Sequence, residues 1–478
     1  KFWNDMIKVS ESILLFEKLD KTPVVGLLTN NRYKGILVDL ACLSFGIRII
    51  PVPLNFTSEH LNYVLEESKI THLFIGGGTA NRLWNSVASK HQIDLIAFDD
   101  PEILYGNVTD WDSFFDSGNK LILIICTSLN LGGSEKQAVW LANKLSEKNF
   151  DVCYISLKEP GILSDKINPT VTVKNLKIAR ERKKFFKIVK FFKGVFELRK
   201  LVKDKNDTVI ISFLFHANLV GKLVKVFSSQ NIKHIIAFRS DRLSKRDSQV
   251  NKMRTFIFKK LVIDKKTLVV FNSNSGFEKM KLKKPEQTII YNTPLNLPIE
   301  LTMNSEIAYV GRLDKLKNLT NLVTAMSLMP SSSSTKLHIY GSGPEKDALE
   351  NLVRYKQLGS KIIFKGIDEL ISNKLQSYKA VILTSTHEAF PNILIETMNS
   401  KRISISTKVG DSEMLLTNNR GILINGFSPN SIKDAILTLE QLSSNDLEII
   451  QQNAKNFIDR NLNEDVIFNQ WMNSIDLN

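Results

Sequence analysis

The sequence predicts an α/β fold of doubly wound parallel sheets, and three observations lead there. Runs such as LILIICTSL (121–129) and VILT (381–384) are nearly continuously apolar, as strands buried on both faces require. These runs alternate with helical stretches along the whole chain, the pattern of βαβ units. Glycine turns stand at the strand-to-helix junctions, at Gly132-Gly133, Gly311, Gly341 and Gly343.

The chain has 478 residues, enough for roughly three domains, and a formal charge of +15 that favours an anionic partner. Cys42, Cys126 and Cys153 sit singly in apolar surroundings, so neither a disulfide framework nor a zinc site is expected. The longest apolar stretch, Ile36 to Leu54, is interrupted by Asp39, Arg48 and two prolines, which excludes a bilayer span. The chain starts at Lys1, which leaves open a longer N-terminus and a removed leader.

Residues 1–117 read as a small α/β unit: TPVVGLLTNN as strand and turn, YKGILVDLACLSFG as a helix ending at Gly46, IRIIPVP as a strand. A helix starting at Ser58-Glu59 and the strand THLFIGG follow. With GIRIIPVPLNF and THLFI the unit resembles the opening portion of adenylate-forming enzymes, the acyl-CoA synthetase and ligase group. That chemistry needs a phosphate loop followed by Lys and a mobile C-terminal domain. Neither occurs here, and Gly76-Gly77-Gly78-Thr79 lacks the Lys. A truncated, non-catalytic appendage is expected.

Residues 118–298 form the next unit. Gly132 and Gly133 let backbone approach a ligand, and Ser134 with Glu135 opens a helix. The run 177–205 holds twelve Lys/Arg against three Asp/Glu. Phe185, Val189, Phe192 and Phe196 recur at helical spacing there, with Lys183, Lys184, Lys187, Lys190 and Lys193 interleaved. Such a helix suits an anionic membrane surface, the bland alternative being a sheet-covering helix with a solvated basic face. No nucleic-acid motif accompanies the charge. His216 falls at the carboxyl edge of the strand DTVIISF, and Arg239 with Asp241 at the end of the next, a candidate acceptor side. TIIYNTPLNLP, with Pro294 and Pro298, reads as the hinge.

Residues 299–478 open with EIAYVGRLDKLKN, in which Arg312 offers a forked cation and Lys317 a point charge, a pairing suited to a diphosphate. IYGSGP places Gly341 and Gly343, and IIFKG places Gly366, in loops after the next strands. The stretch 381–413 is the centre of the reading. After VILT come Glu388, the turn Phe390-Pro391-Asn392, and a helix whose Ile393, Leu394 and Met398 share an apolar side. A helix start at the carboxyl edge of a parallel sheet favours an anion, most simply a phosphate. Glu388 and Glu396, eight residues apart, suit sugar hydroxyls, because carboxylates accept what hydroxyls donate. Spacing alone equally fits two solvated glutamates.

HEAFPNILIE followed by VGDSE, with VGRLDKLKN and the GSGP turn, resembles retaining glycosyltransferases of family 4 over about 119–478. The resemblance implies the GT-B fold, two Rossmann-like domains (118–298 for acceptor, 299–478 for donor) facing a cleft, the last helix crossing back. It implies His216, Arg312, Lys317 and Glu388 in catalysis, and Gly132, Gly133, Gly311, Gly341, Gly343, Gly366, Phe390, Pro391, Asn392, Ile393 and Glu396 in donor binding. No cofactor or metal is implied; the substrate would be a UDP- or GDP-linked sugar and the acceptor a saccharide, free or lipid-linked. A cytoplasmic enzyme at the inner membrane face, in surface polysaccharide or glycolipid assembly, is the resulting expectation. A GT-B epimerase or phosphorylase, or an inactive adaptor, are the alternatives.

Overall fold

A computed structural model describes residues 5–476 except 8, 11, 14–22, 31, 92, 100, 102–103, 112–113, 115–119, 131, 179–183, 204, 206, 230, 240–261, 265, 281, 283–285 and 296–301. The chain forms two compact units, Lys1–His234 and Ile235–Asn478. Asp241, Lys183 and the expected junctions near 117 and 298 lie outside the described residues.

The first sheet has the order β2-β1-β3-β4-β5, with β1 (Val24–Thr29), β2 (Arg48–Pro51), β3 (His72–Gly76), β4 (Asp94–Ala97) and β5 (Asn107–Asp110) paired in parallel. Helices α1 (Arg32–Phe45), α2 (Ser58–Ser68) and α3 (Gly78–Asn85) connect the first strands. Because β-strand side chains alternate, Phe74 joins Val25, Leu37 and Val38 on one face while Leu73 and Ile75 join Leu28 and Leu61 on the other. Thr57 caps α2, its hydroxyl accepting from the His60 amide at 3.3 Å. The glycine run ends β3 and starts α3, a short helix that no sequence signal announced.

The second sheet has seven strands in the order β12-β11-β10-β9-β6-β7-β8. They are β6 (Lys120–Cys126), β7 (Asp151–Ser156), β8 (Thr172–Asn175), β9 (Asp207–Phe213), β10 (Ile232–Phe238), β11 (Thr267–Phe271) and β12 (Glu286–Ile289). Every residue of β6 is buried, as its apolar run required. Helices α4 (Gly133–Glu147), α5 (Lys184–Val202), α6 (Phe215–Phe227) and α7 (Asn274–Met280) intervene. One expectation is corrected: Thr288 and Ile289, read as the start of the hinge, pair with Val270 and Phe271 as strand β12. Three β-branched residues ahead of Tyr291, Thr288 to Ile290, favour a strand over a turn.

The third sheet runs β15-β14-β13-β16-β17-β18: β13 (Ile307–Val310), β14 (Leu337–Tyr340), β15 (Ile362–Gly366), β16 (Ala380–Leu383), β17 (Ile403–Thr407) and β18 (Ile422–Ile424). Its pairs are parallel, with a register shift between Ile339 and Tyr340. The helices here are α8 (Leu319–Ser327), α9 (Lys346–Tyr355), α10 (Asn392–Asn399), α11 (Ser412–Leu416), α12 (Pro429–Gln441), α13 (Ser444–Asn461) and α14 (Glu464–Asp476). In the second and third sheets the strand order reverses once, between β6 and β9 and between β13 and β16. Ligands of open α/β sheets bind outside the strand ends at such a point. The candidate residues follow those four strands: Gly132 and Gly133 after β6, His216 after β9, Gly311 to Lys317 after β13, and Glu388 after β16. Among the described residues no helix is long and apolar enough to cross a membrane.

Gly341 illustrates how closely these strand ends pack. Its φ is +131°, and a Cβ there would stand 1.9 Å from the Gly311 carbonyl oxygen. Left-handed strain costs about 1–3 kcal/mol in a residue with a side chain, before the overlap is counted. Gly341→Ala should therefore unfold at a clearly lower temperature in a thermal melt. Gly359→Ala, whose added carbon meets nothing within 4 Å, should melt with the parent.

Candidate functional site

The site residues of the second unit are held on loops that leave the third sheet at its carboxyl edge. After β13 the chain turns through Gly311, Arg312 and Leu313. Tyr309, fully buried, donates from its hydroxyl to the Arg312 carbonyl at 3.0 Å. Burial first, then the charges of Glu388 and Asp314, push that phenol's pKa well up and keep it a donor. Asp314 caps the short turn Lys315–Lys317, accepting from the Leu316 amide at 3.1 Å. Arg312 lies on this turn with its side chain 65% exposed and its Nε 3.8 Å from Asp314.

The loop after β16 is tied to the same turn. The Thr384 hydroxyl donates to the Lys317 carbonyl at 2.8 Å and the Thr386 amide to the Leu316 carbonyl at 2.8 Å. Lys317 Nζ reaches Glu388 Oε1 at 2.5 Å, and the Ser385 hydroxyl donates to the same oxygen at 2.7 Å. Both charged side chains are mostly buried, at 21% and 16% exposure. The cation and carboxylate are thus brought into direct contact, with both donors falling on Oε1.

Gly410 explains why the next turn can brace this loop. At φ +55°, a Cβ would lie 2.4 Å from both the Glu388 and the Ala389 carbonyl oxygens. The neighbouring Asp411 amide donates to Ala389 at 3.1 Å. The Asp411 carboxylate accepts from the Asn274 and Ser275 amides at 2.7 and 3.0 Å, and burial raises its pKa. The sequence read this stretch as a turn and missed Asp411; the polar strand end Thr384-Ser385-Thr386 was the visible signal for the rest.

Phe390 is buried and stacks on Tyr291, ring centroids 5.2 Å apart at 30°. Pro391 precedes α10, and Asn392 is its first residue; the Leu394 amide donates to the Pro391 carbonyl at 3.1 Å, and the amides ahead of it lie before the first i−4 carbonyl of the helix. Ile393 packs beside Tyr340 and Val310 against the cluster of Ile371, Leu375 and Tyr378. Glu396 is 7% exposed, and the Ser372 hydroxyl donates to its Oε2 at 2.7 Å. Gly366 meets Gly341 backbone to backbone, the Gly341 amide donating at 2.6 Å. At Gly343 a Cβ would fall 2.2 Å from the Leu313 carbonyl. These glycines join the ends of β13, β14 and β15 without side chains between them.

In the first unit, Gly132 caps α4, and the Glu135 side chain fills the place where a Cβ would stand. Burial raises the Glu135 pKa, and Ser128 donates to its Oε1 at 3.1 Å. Gly133 is exposed, and His216 is exposed as the second residue of α6. Arg239, expected on the acceptor side, has a different setting. Its Nη1 donates to Asn292 Oδ1 at 2.8 Å and to the Ile290 carbonyl at 3.2 Å, and its guanidinium lies 5.4 Å from the Trp471 ring centre. A strand end covered by a later helix turns such a side chain inward, and burial pushes its pKa down to about 9. Among the described residues no cluster of three or more His, Cys, Asp or Glu could hold a metal.

Residues 300–457 match the family model of glycosyl transferases group 1. The chain is 25% identical over 295 residues to the poly(ribitol-phosphate) alpha-N-acetylglucosaminyltransferase of Staphylococcus aureus, covering 58% of this chain and 57% of that one. It is 28% identical over 315 residues to a Campylobacter jejuni alpha-1,4-N-acetyl-D-galactosaminyltransferase named for an undecaprenol-diphosphate-linked saccharide, covering 64% and 84%. The structure of Anabaena HepE in complex with UDP and glucose superposes with a TM-score of 0.62 at 16% identity, covering 74% and 99%.

Removing one member of a mostly buried ion pair strands the other, at a cost of a few kcal/mol. Lys317→Met should lower stability in urea by about 2 kcal/mol, and adding Glu388→Gln should restore part of the loss. Additive losses would deny the coupling. Over the roughly three quarters of the chain that superposes, the fold is that of GT-B glycosyltransferases, and the segment 300–457 is similar to glycosyl transferases group 1.

Proposed function

We propose that the chain is a retaining glycosyltransferase of the family 4 type, moving a hexosyl unit from a UDP- or GDP-linked sugar to a hydroxyl of a saccharide acceptor. The carrying observation is the Lys317 to Glu388 contact on the loop that leads into the start of α10. A diphosphate at that helix start meets outward amides and the positive end of the dipole. Arg312 and Lys317 would add the charge that stabilises the departing diphosphate, commonly the largest catalytic contribution. Glu388 would accept from sugar hydroxyls and Glu396 from the ribose, with Ser372 orienting the latter carboxylate. Gly132, Gly133 and His216 are further candidates for binding the sugar and the acceptor.

In the reaction the bond from the anomeric carbon to the phosphate oxygen breaks. The acceptor oxygen bonds to that carbon on the same face, and its proton passes to the leaving phosphate oxygen. Protein cations perform the charge neutralisation, so transfer should persist in EDTA. A panel of nucleotide sugars in EDTA should yield at least one that raises the melting temperature of the parent protein. At a hundredfold excess over Kd the gain is about 2.7 kcal/mol. Glu396→Ala should weaken that shift strongly; no stabilisation by any member of the panel would sink the reading.

The relatives' names, one for a poly(ribitol-phosphate) and one for an undecaprenol-diphosphate-linked saccharide, favour polysaccharide or glycolipid assembly. An anionic membrane surface is the proposed docking partner, at the cytoplasmic face. Val189, Phe192 and Phe196 of α5 and Val226 and Phe227 of α6 are exposed, and the Phe196 and Phe227 rings stack 5.9 Å apart. Lys190 and Lys193 stand on α5 among these residues, and Lys184 and Lys187 precede them on the same helix. Apolar rings insert while lysines meet lipid phosphates. Vesicles rich in phosphatidylglycerol should pull the protein down, and Phe192→Ser with Phe196→Ser should weaken this severalfold. Equal sedimentation with neutral phosphatidylcholine vesicles would contradict the charge-dependent docking.

A further inference from the structure

The turn that opens α10 is gripped by two consecutive residues of another segment. Tyr291 stacks on Phe390, and Asn292 Nδ2 donates to Asn392 Oδ1 at 2.7 Å. Asn292 is 3% exposed, and its own Oδ1 accepts from Arg239 Nη1 at 2.8 Å. The same Arg239 nitrogen donates to the Ile290 carbonyl, two residues earlier, at 3.2 Å. Trp471, 2% exposed, lies against the guanidinium. The bonds run in one direction, from guanidinium to amide oxygen and from amide nitrogen to the Asn392 oxygen, so the orientation of the Asn292 amide is fixed at both ends.

This arrangement has a mechanical meaning. Helix starts fray because their first amides lack intrahelical partners. An anion site made of such amides is only as well formed as the residue that begins the helix. Here that residue, Asn392, is held through a buried amide by an arginine that is itself seated on a backbone carbonyl and an indole. Both bonds leave one nitrogen, Nη1, and the planar guanidinium rests against the Trp471 ring, a seat that a lysine ammonium reproduces only in part.

We propose that Arg239 and Asn292 are positioning residues that set the start of α10 for the leaving diphosphate, Arg239 acting through Asn292. This rests on the proposed transferase reading for its functional part. The brace itself is separable from that reading, since it makes a claim about the helix start alone.

The test uses the full chain with Asn292→Ala, Arg239→Lys and Arg239→Met. Hydrogen exchange of the peptide spanning 388–399 should accelerate at least tenfold in Asn292→Ala and Arg239→Met, with Arg239→Lys between them and the parent. In steady-state assays with the donor found in the nucleotide-sugar panel, donor KM should rise about tenfold while acceptor KM stays within twofold. A merely structural effect would instead lower apparent kcat with the folded fraction and leave both KM values alone. Unchanged exchange in folded Asn292→Ala overturns the brace. Faster exchange with unchanged donor KM overturns its link to the diphosphate. A parent protein that binds no nucleotide sugar overturns the transferase reading and the functional link with it, while exchange still decides the brace. Should Arg239→Met not fold, Asn292→Ala and Arg239→Lys carry both readouts.

Discussion

The candidate site depends on backbone meeting backbone at the carboxyl edge of the third sheet. Gly341 stands where a single methyl would overlap the Gly311 carbonyl, Gly343 does the same toward Leu313, and Gly410 toward Glu388 and Ala389. Three strand-end loops and the turn before α11 are thereby drawn closer than side chains allow. Beside that approach, Thr384 and Thr386 bond to the Lys317 turn and Lys317 meets Glu388. The chemistry follows from a packing constraint, and the constraint from the absence of Cβ atoms.

Much of this was legible in the sequence, for physical reasons that can be named. Strands such as β6 and β16 are buried on both faces, so their composition leaves little alternative. The Glu388 to Glu396 stretch carried both a helix signal and a chemical one, and α10 begins at Asn392, the residue read as the last of the turn. Pairings between distant segments were not legible. Nothing near Tyr309, Ser372 or Asp411 announces that a phenol braces Arg312, a serine holds Glu396, or a carboxylate caps α7. The misread hinge start has the same origin, since Thr288 and Ile289 become a strand through pairing with β11. Arg239 was read as lining an acceptor side because it ends a strand beside Asp241, yet its partners lie about fifty residues away and near the C-terminus.

The first sheet shares the parallel, once-reversed order of the other two. Its order, β2-β1-β3-β4-β5, reverses between β1 and β3, and its two apolar faces are each covered by their own residues. Phe74, Phe98, Trp111 and Phe114 make a chain of ring contacts at 4.9 to 6.0 Å on one of them. Aromatic pairs of this kind add to what area burial provides. The resemblance to an adenylate-forming enzyme concerns this sheet alone, and its glycine run is used to turn from β3 into α3.

The closed contact between Lys317 and Glu388 has a consequence for discrimination among anions. Inorganic phosphate would have to draw the ammonium away and leave the carboxylate with the Ser385 hydroxyl alone. A ligand that carries hydroxyls next to its phosphates can satisfy both members at once. On the proposed transferase reading, the pair would act as a latch against small ions, opened by bifunctional guests.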